Sequence, residues 1–193
     1  MTLKTPKYYW NYFVAIEKDL EKLSRYIEFT KENLNVYSIE LAHILLSASS
    51  EVDVVMKQLC ELLDHSKTAK NINNYRTIIQ NNVPLFINEE IHISRFGLLF
   101  KPWSCWAEMQ NPDWWGSYNN VKHERNNYFK EANLQNAINA VGALLLANIY
   151  YYKYSFSKEE NKDIRMKEVT NTLEGGCILL QANADYYYNN LVV

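Results

Sequence analysis

Leu41, Leu45, Ala48, Val52, Val55, Leu59 and Leu62 recur in alternating steps of four and three. Residues so spaced fall on one side of an α-helix, so they predict a helix from about Val36 to Asp64 with one apolar stripe along its length. A rod of that kind must be covered by other helices or by a sheet. Tyr9, Phe13, Ile16, Leu20, Leu23 and Ile27 repeat the same steps ahead of it, with Glu17, Lys18, Asp19, Glu21 and Lys22 expected on the wet side. Pro6 stands near the start, where a missing N–H costs nothing. The link from Lys31 to Asn35 is short, so the two helices are expected to form an antiparallel hairpin.

Further along, Lys67 to Asn74 is polar and Asn-rich and reads as a loop, followed by a short helical piece from Tyr75 to Gln80 that ends before Pro84. The run EIHISRFGLLFKPW, residues 90–103, alternates briefly and then turns apolar after Gly97, which predicts a small β-hairpin or an irregular crossing. Asp113, after Pro112, is placed to cap a helix carrying WWGSYNNVKHERNNYF. Leu134, Ile138, Val141 and Leu145 then form the buried stripe of another helix. Gly142 within it is expected to let a neighbouring helix approach closely, at about 1 kcal/mol of lost helix propensity. A last helix is expected from Ile164 to Leu173, stopping at Gly175-Gly176, with the tail CILLQANADYYYNNLVV apolar enough to dock on the body.

Only 5 glycines and 4 prolines occur among 193 residues, too few for the many tight turns of an all-β sandwich or barrel. With 48% hydrophobic residues, the expectation is one domain, residues 1–193, folded as an all-α, up-and-down bundle of four to six helices. The net charge of -2 gives no general attraction to phosphate backbones, so any nucleic-acid contact must come from a local cationic patch. Cys60, Cys105 and Cys177 are odd in number and far apart, which suits reduced thiols and a cytoplasmic setting. The N-terminus lacks the pattern of a signal peptide, and the apolar stretch from Ala137 to Ala147 falls short of the ~20 residues of a membrane span, so no membrane partner is expected.

His43, His65 and His92 lie in separate elements without metal-ligand spacing, and no phosphate-cradling glycine motif occurs, so neither a metal nor a cofactor is expected. Cys105 reads as packed rather than nucleophilic, since no basic residue stands beside it in sequence. Trp103, Trp106, Trp114 and Trp115 crowd the approach to the KH helix. They read chiefly as core anchors, with stacking on unpaired bases as the alternative use. The runs Tyr150 to Tyr152 and Tyr186 to Tyr188 are expected at a core boundary, rings buried and hydroxyls wet.

The chemistry concentrates in that KH helix. Asn119, Lys122, His123 and Asn126 fall at i, i+3, i+4 and i+7 and share one polar face, while Tyr118, Val121, Arg125 and Tyr128 share another. An imidazole beside cations suits metal-independent RNA cleavage: the ring exchanges a proton with a ribose hydroxyl or the leaving oxygen, and the cations stabilise the phosphorane. Asn119 is placed to orient the ring. A solvated surface histidine is the plainer reading of the same spacing.

KPWSCW, NPDWWGSYNNVKHERNNYF and ANLQNAINAVGALLL resemble the HEPN superfamily of helical bundles, over roughly Pro102 to Tyr151 with a weaker echo around Glu51. The resemblance implies a bundle that dimerises through its motif helices, and many such proteins are metal-independent ribonucleases of bacterial defence or toxin–antitoxin systems. It assigns His123 as the family's histidine and Asn119 as its polar companion. The family's arginine would stand at residue 116, 117 or 118, where this chain has Gly116, Ser117 and Tyr118. Two places for Arg125 follow. In a homodimer, the partner's Arg125 or Lys122 faces His123, with Lys122 and Asn126 binding RNA; alternatively Arg125 faces inward and pairs with Glu51. The competing function is a non-catalytic interaction module, antitoxin- or immunity-like, that binds a protein partner.

Overall fold

The computed structural model describes residues 6–173 and 179–187. They form an all-α bundle with one small antiparallel hairpin: α1 (Tyr8–Leu23), α2 (Ile39–Leu63), α3 (Ile72–Asn82), β1 (Ile91–Ile93), β2 (Leu98–Phe100), α4 (Asp113–Tyr128), α5 (Leu134–Glu160) and α6 (Met166–Thr172). Helices α2 and α5 are the central pair; α1, α3 and α4 pack on α2, and α6 packs on α5. The α2 stripe is buried from Leu41 to Leu59, and Phe13, Ile16 and Leu20 of α1 are buried with it. Residues 141–150 of α5 are buried on every side, as befits a helix enclosed by its neighbours. No helix among the described residues is long and apolar enough to cross a membrane.

Side-chain caps fix where the helices begin. Ser38 accepts the Leu41 N–H at 3.1 Å at the start of α2, and Asn133 accepts the Asn136 N–H at 2.9 Å at the start of α5. Asn71 accepts the N–H groups of Asn73 and Asn74, both at 3.1 Å, so α3 begins at Ile72 inside the stretch expected to be loop. Each cap satisfies donors that the first helical turn leaves unpaired. At α4 the expectation is corrected: Pro112 precedes the helix, and Asp113 is its first residue, making no capping bond. Its carboxylate lies in the first turn, where the helix dipole favours negative charge.

The hairpin pairs Ile91 with Phe100 and Ile93 with Leu98, and turns at Gly97 with φ +63°. Gly142 does serve a close approach, but to the hairpin side rather than to a helix. A Cβ there would sit 3.0 Å from Ile91 Cγ1 and 3.3 Å from Pro102 Cγ.

One polar expectation on α1 is overturned. Glu17 is completely buried, and its Oε1 accepts the backbone N–H groups of Leu179 at 3.0 Å and Leu180 at 2.9 Å. The C-terminal segment runs over α1 at this point, and its amides, withdrawn from water, require an acceptor. That segment docks as expected: Leu179, Leu180 and Ala182 are buried, and Gln181 exchanges backbone hydrogen bonds with His92 of β1 at 2.7 and 2.9 Å. A second buried carboxylate, Glu89, accepts the hydroxyls of Tyr150, at 2.6 Å, and of Tyr186. Both phenols lose water and face a carboxylate, which pushes their pKa values well above the ordinary tyrosine range. The Tyr150 hydroxyl is therefore not wet. Gly175, Gly176, Cys177 and Tyr188 lie outside the described residues.

Candidate functional site

Helix α4 is seated by aromatic residues at its entry and by amides at its exit. Trp114 is buried and donates its indole N–H to the Pro102 carbonyl at 2.8 Å. Trp103 and Trp106 are fully buried, their ring centres 4.4 Å apart, so these three are core anchors and unavailable for base stacking; Trp115 remains partly exposed. On the inner face, Tyr118 and Val121 are buried. Asn120 reaches Glu131 Oε2 at 2.9 Å, and Asn136 reaches Ser117 Oγ at 3.0 Å, which ties α4 to the turn and helix after it.

The helix is not continuous. Glu124 has φ −137° and ψ 49°, a break one residue beyond His123. This divides the residues that a straight helix would gather. Asn119 donates its amide N–H to the Trp115 carbonyl at 2.8 Å, a turn back, rather than orienting the imidazole. Lys122 lies over the Tyr118 ring at 5.3 Å and 3.2 Å from its hydroxyl. His123 stands exposed at the surface. Beyond the break, Arg125 and Asn126 are also exposed and line a hollow of about 420 Å³ with Ile39, Ala42 and His43 of α2 and Phe129.

The inward pairing of Arg125 with Glu51 is absent. Glu51 is half-buried with its carboxyl pKa raised by desolvation, and no cation contributes to that shift. The geometry explains why: Arg125 lies beside His43, and Glu51 is two turns further along α2, about 12 Å at ~1.5 Å rise per residue. A raised carboxyl pKa means the fold favours the protonated form. Its stability contribution is full below the unfolded pKa and is lost as pH rises through the raised folded value. Glu51→Gln, which carries no charge to desolvate, is expected to raise the Tm by about 1–2 °C near pH 7 and by nothing near pH 4. Equal shifts at the two pH values in differential scanning calorimetry would show that the charge is not what matters.

His43 is the residue that sequence reasoning passed over. Its signal was local: Ile39 and His43 are one turn apart on α2 and both lie off the buried stripe, so an apolar side chain and an imidazole share the outer face. Elsewhere, Cys60 is a buried free thiol whose pKa is pushed up to about 12 by burial, and Cys105 is a half-buried free thiol. Among the described residues no three His, Cys, Asp or Glu side chains gather in a way that could hold a metal ion. Comparison with known protein families, with characterised proteins and with solved structures finds no match to this chain.

Proposed function

We propose that this chain is a HEPN-like, RNA-binding bundle that works as a homodimer joined along α4, with His123 as the proton-transfer group of metal-independent RNA cleavage. The observation that carries this reading is the exposure of the His123 ring beside Lys122, at a break in the helix, rather than inside the core against a carboxylate. An exposed imidazole can reach a ribose hydroxyl, and a lysine resting on a tyrosine ring and hydroxyl can exchange that contact for a phosphate. Within one chain Arg125 is turned toward His43, so the guanidinium that faces a given His123 comes from the second copy.

The test is incubation of structured and single-stranded RNA with the purified protein in the presence of a chelator. Cleavage is expected, falling by about a hundredfold or more in His123→Ala. Intact RNA with the parent protein, or undiminished cleavage by the variant, removes the catalytic role. A second reading, a non-catalytic module that binds a protein partner, is favoured by one observation: Tyr37, Ile39 and Tyr128 are exposed large hydrophobic residues at 43%, 63% and 37% of their surface, all close in sequence to the hollow's walls. It predicts partner capture with no RNA affinity.

A further inference from the structure

The hollow between α2 and the last turn of α4 combines three kinds of surface that the motif helix alone does not supply. Its floor is apolar: Ala42 is buried, Phe129 is half-buried, and Ile39 stands 63% exposed. The Phe129 ring is fixed edge-on by Tyr37, centres 5.5 Å apart at 81°. Its rim carries one full cation, Arg125, whose planar fork matches a phosphate's oxygens. Beside Arg125 are the Asn126 amide and the His43 imidazole, groups that can donate to or accept from the edge of a base.

The walls are also held in place. Backbone bonds from Leu134 to the Val36 carbonyl at 2.9 Å and from Gln135 to the Leu34 carbonyl at 3.0 Å lock the approach to α2 against the start of α5. Ser38 caps α2 directly beneath Ile39. A hollow made by such elements exists before its ligand arrives, which lowers the ordering cost of binding. At about 420 Å³ it falls in the ~300–1,000 Å³ range of small-ligand sites. Glu40, whose carboxylate lies 3.8 Å from His43 Nδ1, lines the neighbouring groove between α1 and α2, and Arg125 is the charged side chain in the lining of this hollow.

We infer that this hollow takes one unpaired nucleobase of a bound RNA strand with its adjoining phosphate, the base against Ile39 and Phe129 and the phosphate on Arg125, so that His43 is a second imidazole of the RNA site. This rests on the RNA reading above. An apolar floor alone would suit any greasy partner. The guanidinium at its edge selects an anion, and a flat ring joined to a phosphate satisfies both at once.

The test uses the full chain and a fluorescein-labelled, eight-nucleotide single-stranded RNA in anisotropy titrations, with the oligomeric state followed by ultracentrifugation. Ile39→Glu, at an exposed position off α4, is expected to weaken binding about tenfold with unchanged Tm and unchanged oligomeric state, and Arg125→Gln to weaken it about tenfold with unchanged Tm. His43→Ala is expected to weaken it severalfold. If RNA binds the parent and all three variants equally while Lys122→Ala weakens it, the hollow is overturned as a base site and the RNA reading stands. If Ile39→Glu instead splits a dimer and leaves RNA affinity intact, a second copy covers the hollow and the inference falls. If the parent binds no RNA, both fall together.

Discussion

Replacing Glu17 by alanine is expected to lower the stability of this fold by about 3 kcal/mol, a fall in Tm of about 6–12 °C for a chain of this size. The Glu17 carboxylate is fully buried and accepts two backbone N–H groups, Leu179 at 3.0 Å and Leu180 at 2.9 Å. Alanine removes the acceptor and leaves two buried donors with no partner there, each of which costs about 1–3 kcal/mol unless the segment lifts to reach water. Lifting has its own cost, because Leu179, Leu180 and Ala182 leave the core. The segment also holds the Gln181 pairing with His92, so its release frays the hairpin. Amide hydrogen exchange checks the mechanism: Leu179, Leu180 and Gln181 should lose protection in Glu17→Ala before the helices do. Glu17→Gln keeps a carbonyl acceptor at the same place and is expected to lose only part of this stability. A Glu17→Ala protein melting within about 1 °C of the parent would mean that the carboxylate is not what seats the tail.

The helical frame was legible in the sequence because an apolar stripe with a period of 3.6 has few other uses; the α2 residues from Leu41 to Leu59 are buried as their spacing demands. The Asn71 cap was not, since an asparagine that begins a helix and one that sits in a loop look alike within an Asn-rich run. Glu17 is more instructive. It lies four residues after Phe13 and three before Leu20, on the edge of the buried stripe, yet its charge argued for water. Its partners are 162 and 163 residues away, beyond any local pattern.

The site divided in the same way. His123 was found from its neighbours, but the break at Glu124 has no mark in HERNN, since glutamate is a good helix former and no glycine or proline intervenes. A helix wheel drawn through the break put Asn126 with His123, and one of the two places open to Arg125 was beside Glu51. The fold places both with His43. A chemical constellation read from one helix thus depends on that helix being unbroken, whereas a buried stripe tolerates a local break because burial on either side still fixes it.

Trp103→Ala is expected to have the other large effect, about 3–5 kcal/mol and a Tm lowered by about 10 °C or more. Trp103 is fully buried among Trp106, Trp114 and Phe86, with ring centres at 4.4, 5.3 and 5.5 Å. These rings connect the segment after β2 to the start of α4, and Trp114 adds the hydrogen bond to Pro102. Alanine opens a cavity there that the flanking rings, themselves locked, fill poorly. The Trp103 indole N–H has no hydrogen-bond partner among the described residues, so the ring contributes through area and contact alone. Trp103→Phe therefore gives up volume but also an unsatisfied donor, and is expected to cost less than half as much as alanine. The same pair of variants separates packing from base stacking. An anchor changes the melting temperature and leaves the RNA affinity of the folded protein as it was. A stacking residue would do the reverse, and a Trp103→Ala protein of near-parental Tm that no longer bound RNA would return the tryptophan to the binding surface.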